Sequence, residues 1–561
     1  MAKKPNVRTG AQIDINVGEM VTVQVFDPGT GGKTSLQLEV PKIEVPDNPP
    51  EPIPPEPDAI TEKVYTPEQF GGDVTAMKTA ILADQKAAGD GLLRAVVQWQ
   101  RGKTYEYTDN TFLTGVQRYR CEAIGSGDKP KLRNTNRTAP TWVYMGPLCL
   151  GKGANCIAEP LSKTQNMALI ATARVGDTSV TLLNAADAGK LKVGRWHAVF
   201  SYCQQTEGYP PNCRWIDYIQ VKDIEGTRVT LDRALNHNHF DDYWEDPANE
   251  QLIGKARIGL WDGFQNDIRC TLEGVWRGIE FIGEERSGMD VVITDSHIDV
   301  LFEDCIVSNF WPSMLKKAEL RNCVLTGAGS QAAEPDKMVE MLIFDGVTQK
   351  DTKQHVQAAT GIEHFVIRNS TLSCFQLKPR YLTIEDSVLN SYGDTTMYVP
   401  VSWSYNGPLL DLSMTNCEII ASTPQQPTWT YSQPPVTPLP LSASSWQGKK
   451  LIIPRNFSGF ENWLTWLCEG TMVFTGARVA TPGNYGRVDK IHAPADGSAL
   501  WCDVTWIKGT KPTSGNLNLP HFGLRNLVWE GTRITQGNWL EPDFICQQGT
   551  PADRPFPDGI S

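Results

Sequence analysis

The chain of 561 residues carries 52 basic and 64 acidic side chains, a formal net charge of −12. Acid and base are mixed along it with no basic stripe, which argues against nucleic acid as a partner and leaves neutral or weakly charged polymers open. The length exceeds one compact core, and 48 glycines, 38 prolines and few helix-periodic stretches point to a turn-rich β protein of about two to four domains or one elongated body.

The first residues, MAKKPNVRTGAQIDINVGEM, have lysines but no apolar h-region behind them, and no stretch reaches the ~18 apolar residues of a membrane span. Cytoplasmic synthesis without a signal peptide, and no membrane insertion, are the expectation. Residues 1–45 read as a small β unit, with MVTVQVFD and TSLQLEV on either side of the hairpin turn PGTGGK. Then PDNPPEPIPPEP, residues 46–57, places seven prolines in twelve positions. It lacks most backbone donors and favours extended polyproline II, so 46–64 reads as a semi-rigid linker. A small unit on a stiff spacer suggests an anchor holding a larger body away from something.

In residues 65–173, Val74, Met77 and Ile81 give one apolar helical face that Gly89 and Gly91 terminate. A strand AVVQW (95–99), a turn at Arg101–Gly102, KTYEYT and a Gly/Pro turn in EAIGSGDKPKL follow. Residues 174–262 read as an inserted β-subdomain, with two strands in IDYIQVKDIEGTRVTLDRAL around Glu225–Gly226. The thirteen cysteines include no CxxC pair and no Cys/His cluster of zinc spacing, so neither a metal nor a cofactor is expected. Cys203 and Cys213 flank the loop-like QQTEGYPPN and could form a disulfide or remain two thiols.

Between 263 and 423 one short phrase recurs: FEDCIV, LRNCVL, IFDGVT, IRNSTL, IEDSVL and MTNCEI. Counted from the position of Cys305, the steps are 18, 23, 24, 17 and 30 residues. Self-similarity near 20 residues is the signature of a solenoid, each copy stacking on the last at about 4.8 Å. Apolar flanks face inward, and the small Cys, Ser or Gly fits a crowded interior or a bend. The preceding positions, Asp304, Asn322, Asp345, Asn369, Asp386 and Asn416, form an alternating Asp/Asn ladder in which amides donate to carboxylates. ITDSHI (293–298) fits the phrase only nine residues before 305, so it belongs on another face. Residues 424–561 read as a β-rich C-terminal region in which NLVWEGTRI (526–534) resembles one more rung.

Phe70–Gly71, the helix near 74–88, Gly102–Tyr105 and Ile124–Leu132 together resemble the start of pectate-lyase-like right-handed parallel β-helix proteins. The Gly-Asp-Gly and Asp-Asp-Thr helix start of that family is reduced here to Gly72–Asp73–Val74–Thr75. The resemblance implies an all-β, right-handed parallel β-helix with a capping helix, and the 174–262 segment is similar to an extra β-subdomain of some phage members. Bacteriophage tail fibres and tailspikes use this design behind an N-terminal virion-attachment unit. It therefore implies a virion tail location, a homotrimer, contact with tail or baseplate proteins through residues 1–45, and a bacterial surface polysaccharide as partner.

Trp311, Trp403, Tyr405, Trp429 and Tyr431 lie in loop-like stretches and are the candidate glycan platforms, since sugar rings stack their C–H faces on aromatic rings. Cleavage would need two suitably spaced carboxylates or a base near a uronate. Asp295, Asp299, Glu303, Asp336 and Glu340 are acids without a motif that picks two, and the calcium and arginine pattern of pectate lyases is absent. Catalytic residues therefore stay unassigned, and an adhesin, a depolymerase and a purely structural fibre all remain open on this scaffold.

Overall fold

The computed structural model describes the backbone of residues 20–26, 33–39, 60–89, 91–107, 113, 115–134, 167–206, 209–241, 252–253, 255–261, 270–282, 292–295, 298–307, 310–313, 315–326, 331–333, 339–350, 355–356, 362–374, 377, 379, 381–391, 401–403, 411–420, 429–431, 437–460, 463, 467, 472–475, 484–492, 499–519, 523–524, 526–536, 544–547 and 550–551. Contacts divide the chain into Met1–Ala59 and Ile60–Ser561. In the first unit, Met20–Phe26 pairs antiparallel with Lys33–Glu39.

The second unit is a parallel β-helix. One sheet of 11 strands begins at Thr61–Tyr65 and climbs through Leu93–Gln100, Arg118–Ile124 and Glu273–Arg277. It continues through Asp299–Glu303, Leu315–Arg321, Val339–Asp345, Ile362–Arg368, Tyr381–Glu385 and Asp411–Thr415 to Asn526–Glu530. Neighbouring pairs along it are parallel. A second parallel sheet carries the short strands that follow each phrase, such as Ile306–Val307 and Val324–Leu325. Val292–Asp295, which overlaps the ITDSHI segment, pairs with Phe310–Ser313 in another branch of that second sheet, away from the phrase at 301–307.

Period-two alternation decides what faces inward. Trp276, Phe302, Leu320, Phe344, Ile367, Ile384 and Met414 stand one above another in register, and each is fully buried. Burying such side chains contributes about 1.5–3 kcal/mol each. The interior is also a chain of ring contacts: Phe302–Phe310 at 5.4 Å and Phe344–Phe365 at 5.1 Å are both edge-on. Below the first rungs, α-helix Val74–Ala88 covers the end of the stack with Val74, Met77 and Ile81. Asp73 caps it, its Oδ1 accepting from Thr75 N at 2.9 Å and Ala76 N at 3.0 Å.

The repeated phrase encodes a corner. Asp304, Asn322, Asn369, Asp386 and Asn416 all have φ between 46° and 53°, the left-handed region that Asn, Asp and Gly tolerate best. Each corner N–H donates to a carbonyl of the next rung, as in Asn322 N to Asp345 O at 2.8 Å and Asn416 N to Glu530 O at 2.8 Å. The next residue points inward and ties back the carbonyl two residues earlier: Ser370 Oγ to Arg368 O at 2.7 Å, Ser387 Oγ to Glu385 O at 2.6 Å, Cys323 Sγ to Arg321 O at 3.4 Å. A small side chain with one hydrogen to donate suits that place, which explains the interchange of Cys and Ser.

The sequence ladder needs one correction. Asp345 is not a corner residue. It pairs in register with Arg321 and Arg368, and Gly346, with φ 67°, turns the chain instead. Gly278 (φ 68°) and Gly531 (φ 58°) occupy the equivalent place on the outer rungs. Amide-to-carboxylate bonds do occur: Asn369 Nδ2 donates to Asp345 Oδ1 at 3.0 Å, and Asn416 Nδ2 to Asp386 Oδ1 at 3.2 Å. One residue before the corners runs a second column, Glu122, Arg277, Glu303, Arg321, Asp345, Arg368 and Glu385. Its charges alternate, with Arg277 and Arg321 both reaching Glu303.

Two β-subdomains leave the solenoid and return to the adjacent rung. The first is a seven-stranded antiparallel sheet with its own core around Val199, Ile219, Val229 and Ile258. It begins at Met167–Leu169 and ends with Arg257–Leu260. The second, also of seven strands, runs from Leu439–Leu441 to Gly515–Asn518. After it, Asn526–Glu530 pairs directly on Asp411–Thr415. Among the described residues, no helix is long and apolar enough to cross a membrane.

Candidate functional site

On the outer face of the long sheet, a cleft of about 660 Å³ opens where the first subdomain meets the solenoid. Its floor comes from successive rungs. In register, Met341, His364, Tyr381 and Asp411 form one outward column, and Thr383 and Ser413 stand beside it. The His364 and Tyr381 rings stack with centroids 4.7 Å apart and planes 24° from parallel. One wall is Asn236 and His237 from the subdomain, and Glu340 and Glu363 close the near side.

Cations from the subdomain hold both glutamates. Arg233 grips Glu340 with two nitrogens, NH1 to Oε1 at 3.3 Å and NH2 to Oε2 at 3.0 Å. His237 Nε2 lies 3.1 Å from Glu363 Oε1. Behind it sits a buried chain of polar groups. His237 Nδ1 is 3.1 Å from Asp217 Oδ2, His239 Nε2 is 2.9 Å from the same oxygen, and Ser201 Oγ is 3.1 Å from His239 Nδ1. The backbone N–H groups of Asn236 and His237 also donate to Asp217.

The electrostatics follow from these contacts. Burial opposes protonation of His237, but the Glu363 charge and hydrogen bonds to Asp217 and Glu363 outweigh it and lift the imidazole to about 10. Burial likewise opposes ionisation of Asp217, yet His237 and His239 hold its carboxyl far below the usual range. His239 moves downward because burial outweighs its Asp217 partner. At neutral pH the cleft wall is thus an imidazolium between two carboxylates, with a neutral imidazole beneath.

Of the candidate residues from the sequence, the acid Glu340 lies in the cleft; the rest fall on other strands or outside the described residues. Trp311 falls in Phe310–Ser313. Trp403 and Tyr431 are register partners on the parallel strands Val401–Trp403 and Trp429–Tyr431, with Trp429 beside Val401. The side chains of these four residues, and Tyr405 entirely, lie outside the described residues. Cys203 and Cys213 sit directly opposite each other across an antiparallel pair, their side chains again outside the described residues. Of the acids, Glu340 lines the cleft. Glu303 belongs to the charge column, and burial raises the Asp299 carboxyl above its ordinary value. The side chain of Asp295, and all of Asp336, lie outside the described residues.

Sequence reasoning missed His237, Glu363, His364, Tyr381 and Asp411. One local signal existed: LNHNHF sets two histidines two residues apart, close enough along the chain to share one partner.

No family model and no curated protein matches the chain. Among solved structures it is similar to the Gp54 tailspike of Acinetobacter baumannii bacteriophage AP22, in complex with A. baumannii capsular saccharide. That likeness has 10% identity, covers 64% of this chain and has a TM-score of 0.28. This chain spans 63% of the AP22 tailspike chain. It is also similar to the tailspike protein gp49 from Pseudomonas phage LKA1, at 12% identity over 82% of this chain and 98% of that one, TM-score 0.22. A third is the Pseudomonas phage phi297 tailspike gp61, at 10% identity over 80% and 91%, TM-score 0.26.

Proposed function

We propose that the chain is a bacteriophage tail-fibre or tailspike protein that seats a bacterial surface glycan beside His364 and Tyr381. The observation that carries this reading is the stacked ring pair on a rigid sheet, among carboxylates and the hydroxyls of Thr383 and Ser413. A sugar offers a C–H face to aromatic rings and hydroxyl donors to carboxylates. Parallel strands fix those partners better than a loop does.

The geometry favours holding over cutting. Glycoside hydrolysis needs a protonated carboxyl opposite a second carboxylate. Of the three acids that line the cleft, Glu340 and Glu363 are each engaged by a subdomain cation, and Asp411 is the third. Anchoring to the virion through residues 1–45 and assembly as a homotrimer belong to the same proposal. The hairpin Met20–Phe26/Lys33–Glu39, the proline-rich 46–57 and the sequence resemblance support it.

The test incubates the purified chain with surface polysaccharides from a panel of bacterial hosts, reading bound protein and new reducing ends together. A panel member should bind, and Tyr381→Ala should weaken it by about 3- to 10-fold, the loss of one stacking platform. No loss in that variant removes the cleft from the proposal, and new reducing ends would replace holding by cleavage. Native mass spectrometry should give three times the 62.2 kDa chain mass; a monomer under assembly-preserving conditions overturns the trimer.

A further inference from the structure

We propose that Asp217, His237 and His239 form a site for a divalent transition-metal ion of the zinc type, which fixes the wall of the first subdomain that faces the solenoid. Asp217 Oδ2, His237 Nδ1 and His239 Nε2 all lie within 4.8 Å of one another. The two short edges of that triangle are 3.1 and 2.9 Å. Tetrahedral zinc with bonds of about 2.0–2.1 Å separates its ligand atoms by roughly 3.3 Å. The two short edges therefore need to open by only a few tenths of an ångström, with the His237 Nδ1–His239 Nε2 edge settling near the same length, to admit the ion.

The surroundings are what such ligands require. A metal-bound histidine is normally oriented by its other ring nitrogen, which donates to a carboxylate, carbonyl or other acceptor. His237 offers Nε2 to Glu363 Oε1, and His239 offers Nδ1 to Ser201 Oγ, each at 3.1 Å. Those contacts aim Nδ1 of one ring and Nε2 of the other at the same carboxylate oxygen. Asp217 Oδ1 is steadied by the Asn236 N–H at 2.8 Å. The Asp217 and His239 side chains are fully buried, so two of the three donors are dry and held by packing. His237 also lines the cleft, which lets water supply the fourth ligand.

Binding clears two hydrogens from between the rings and Asp217: that on His237 Nδ1 leaves to solvent, and that on His239 Nε2 is replaced by one on Nδ1, which donates to Ser201 Oγ. The balance is one divalent cation taken up and one proton released to solvent, with no redox step. The ion then links the strand bearing Asp217, the segment bearing both histidines and, through His237, Glu363 on the solenoid. This inference does not depend on what the cleft binds.

The experiment uses the full chain without an affinity tag, stripped with a chelator and dialysed. Zinc titration by calorimetry, metal content by mass spectrometry and visible Co2+ absorption are read together. One equivalent, tetrahedral Co2+ bands and a raised unfolding midpoint are expected. His239→Gln should remove the stoichiometric uptake while circular dichroism keeps the β signature, and Asp217→Asn should weaken it at least tenfold. Failure of the wild-type chain to take up one equivalent of zinc or cobalt overturns the proposal, leaving a hydrogen-bonded network only. Uptake unchanged in both variants overturns it too, since the ion would then sit on others of the eight histidines.

Discussion

The corner at Asn369 gives a test whose sign, and not only its size, follows from the backbone. Asn369 has φ 52° and its amide donates to Asp345 at 3.0 Å. In Asn369→Ala the chain must hold an alanine in the left-handed region, at about 1–2 kcal/mol, and loses an exposed hydrogen bond of about 0.5–1 kcal/mol. In Asn369→Gly only the hydrogen bond is lost, because glycine has no Cβ to strain. Glycine should therefore be the better replacement by about 1 kcal/mol. On the outward strand position Val366, in the same rung, the order should reverse, since glycine in a strand interior is worse than alanine by about 0.5–1 kcal/mol. A solenoid with inserted subdomains need not unfold in two states, so unfolding rates in guanidinium are the proper readout. A difference of 1 kcal/mol is about fivefold in rate. If Asn369→Gly unfolds as fast as Asn369→Ala, or faster, the corner account is wrong.

Gly274 lies against the buried Tyr119 ring, where an added Cβ would come within 2.6 Å of Tyr119 Cζ. Gly274→Ala should cost about 1–3 kcal/mol by overpacking, read as a lower thermal midpoint, and an unchanged midpoint would contradict the packing. Arg321→Glu puts three acids in succession, Glu303, the new glutamate and Asp345. It should lower the midpoint more than Arg321→Gln, and 1 M salt should narrow the gap, because screening acts on exposed pairs. Burial opposes ionisation of Glu319, but hydrogen bonds from Arg321 and Lys317 hold its carboxyl below the usual 4.5. Its stabilisation is therefore present above that value and lost as pH falls below it; Glu319→Gln should flatten the acid side of the stability profile. Burial raises the thiols of Cys121, Cys374 and Cys502 to well above ordinary values. A thiol reagent should label them only on unfolding.

The solenoid was legible because a corner imposes residue types locally. Asp304–Cys305 and Asn322–Cys323 each combine a left-handed residue with a small inward donor, and that pair survives translation along the chain. Asp345 was misplaced for the same reason: Asp precedes Gly there, and either residue suits a left-handed corner, so a phrase match cannot choose the register. Interior stacking chose it, by setting Phe344 over Leu320. The cleft was not legible. Tyr381 and Asp411 are 30 residues apart in sequence and adjacent in the sheet, and His237 reaches Glu363 across 126 residues. Nothing in either local stretch records that meeting. The aromatic residues were chosen for lying in loop-like sequence, which does not by itself say which of them meet; strand register sets Trp403 beside Tyr431.

The two excursions from the solenoid have a practical consequence. Cys121 pairs beside Trp276, and Leu412 beside Leu527, as if nothing intervened. Closing a long loop costs only about 0.6 kcal/mol more per doubling of its length, so chain closure between those rungs scarcely depends on what hangs there, and the first subdomain is held besides by Arg233–Glu340 and His237–Glu363. Each return point therefore works as a socket. A foreign β domain whose ends lie one rung apart could be exchanged there, making the solenoid a carrier whose side branches are replaceable while its shaft is kept.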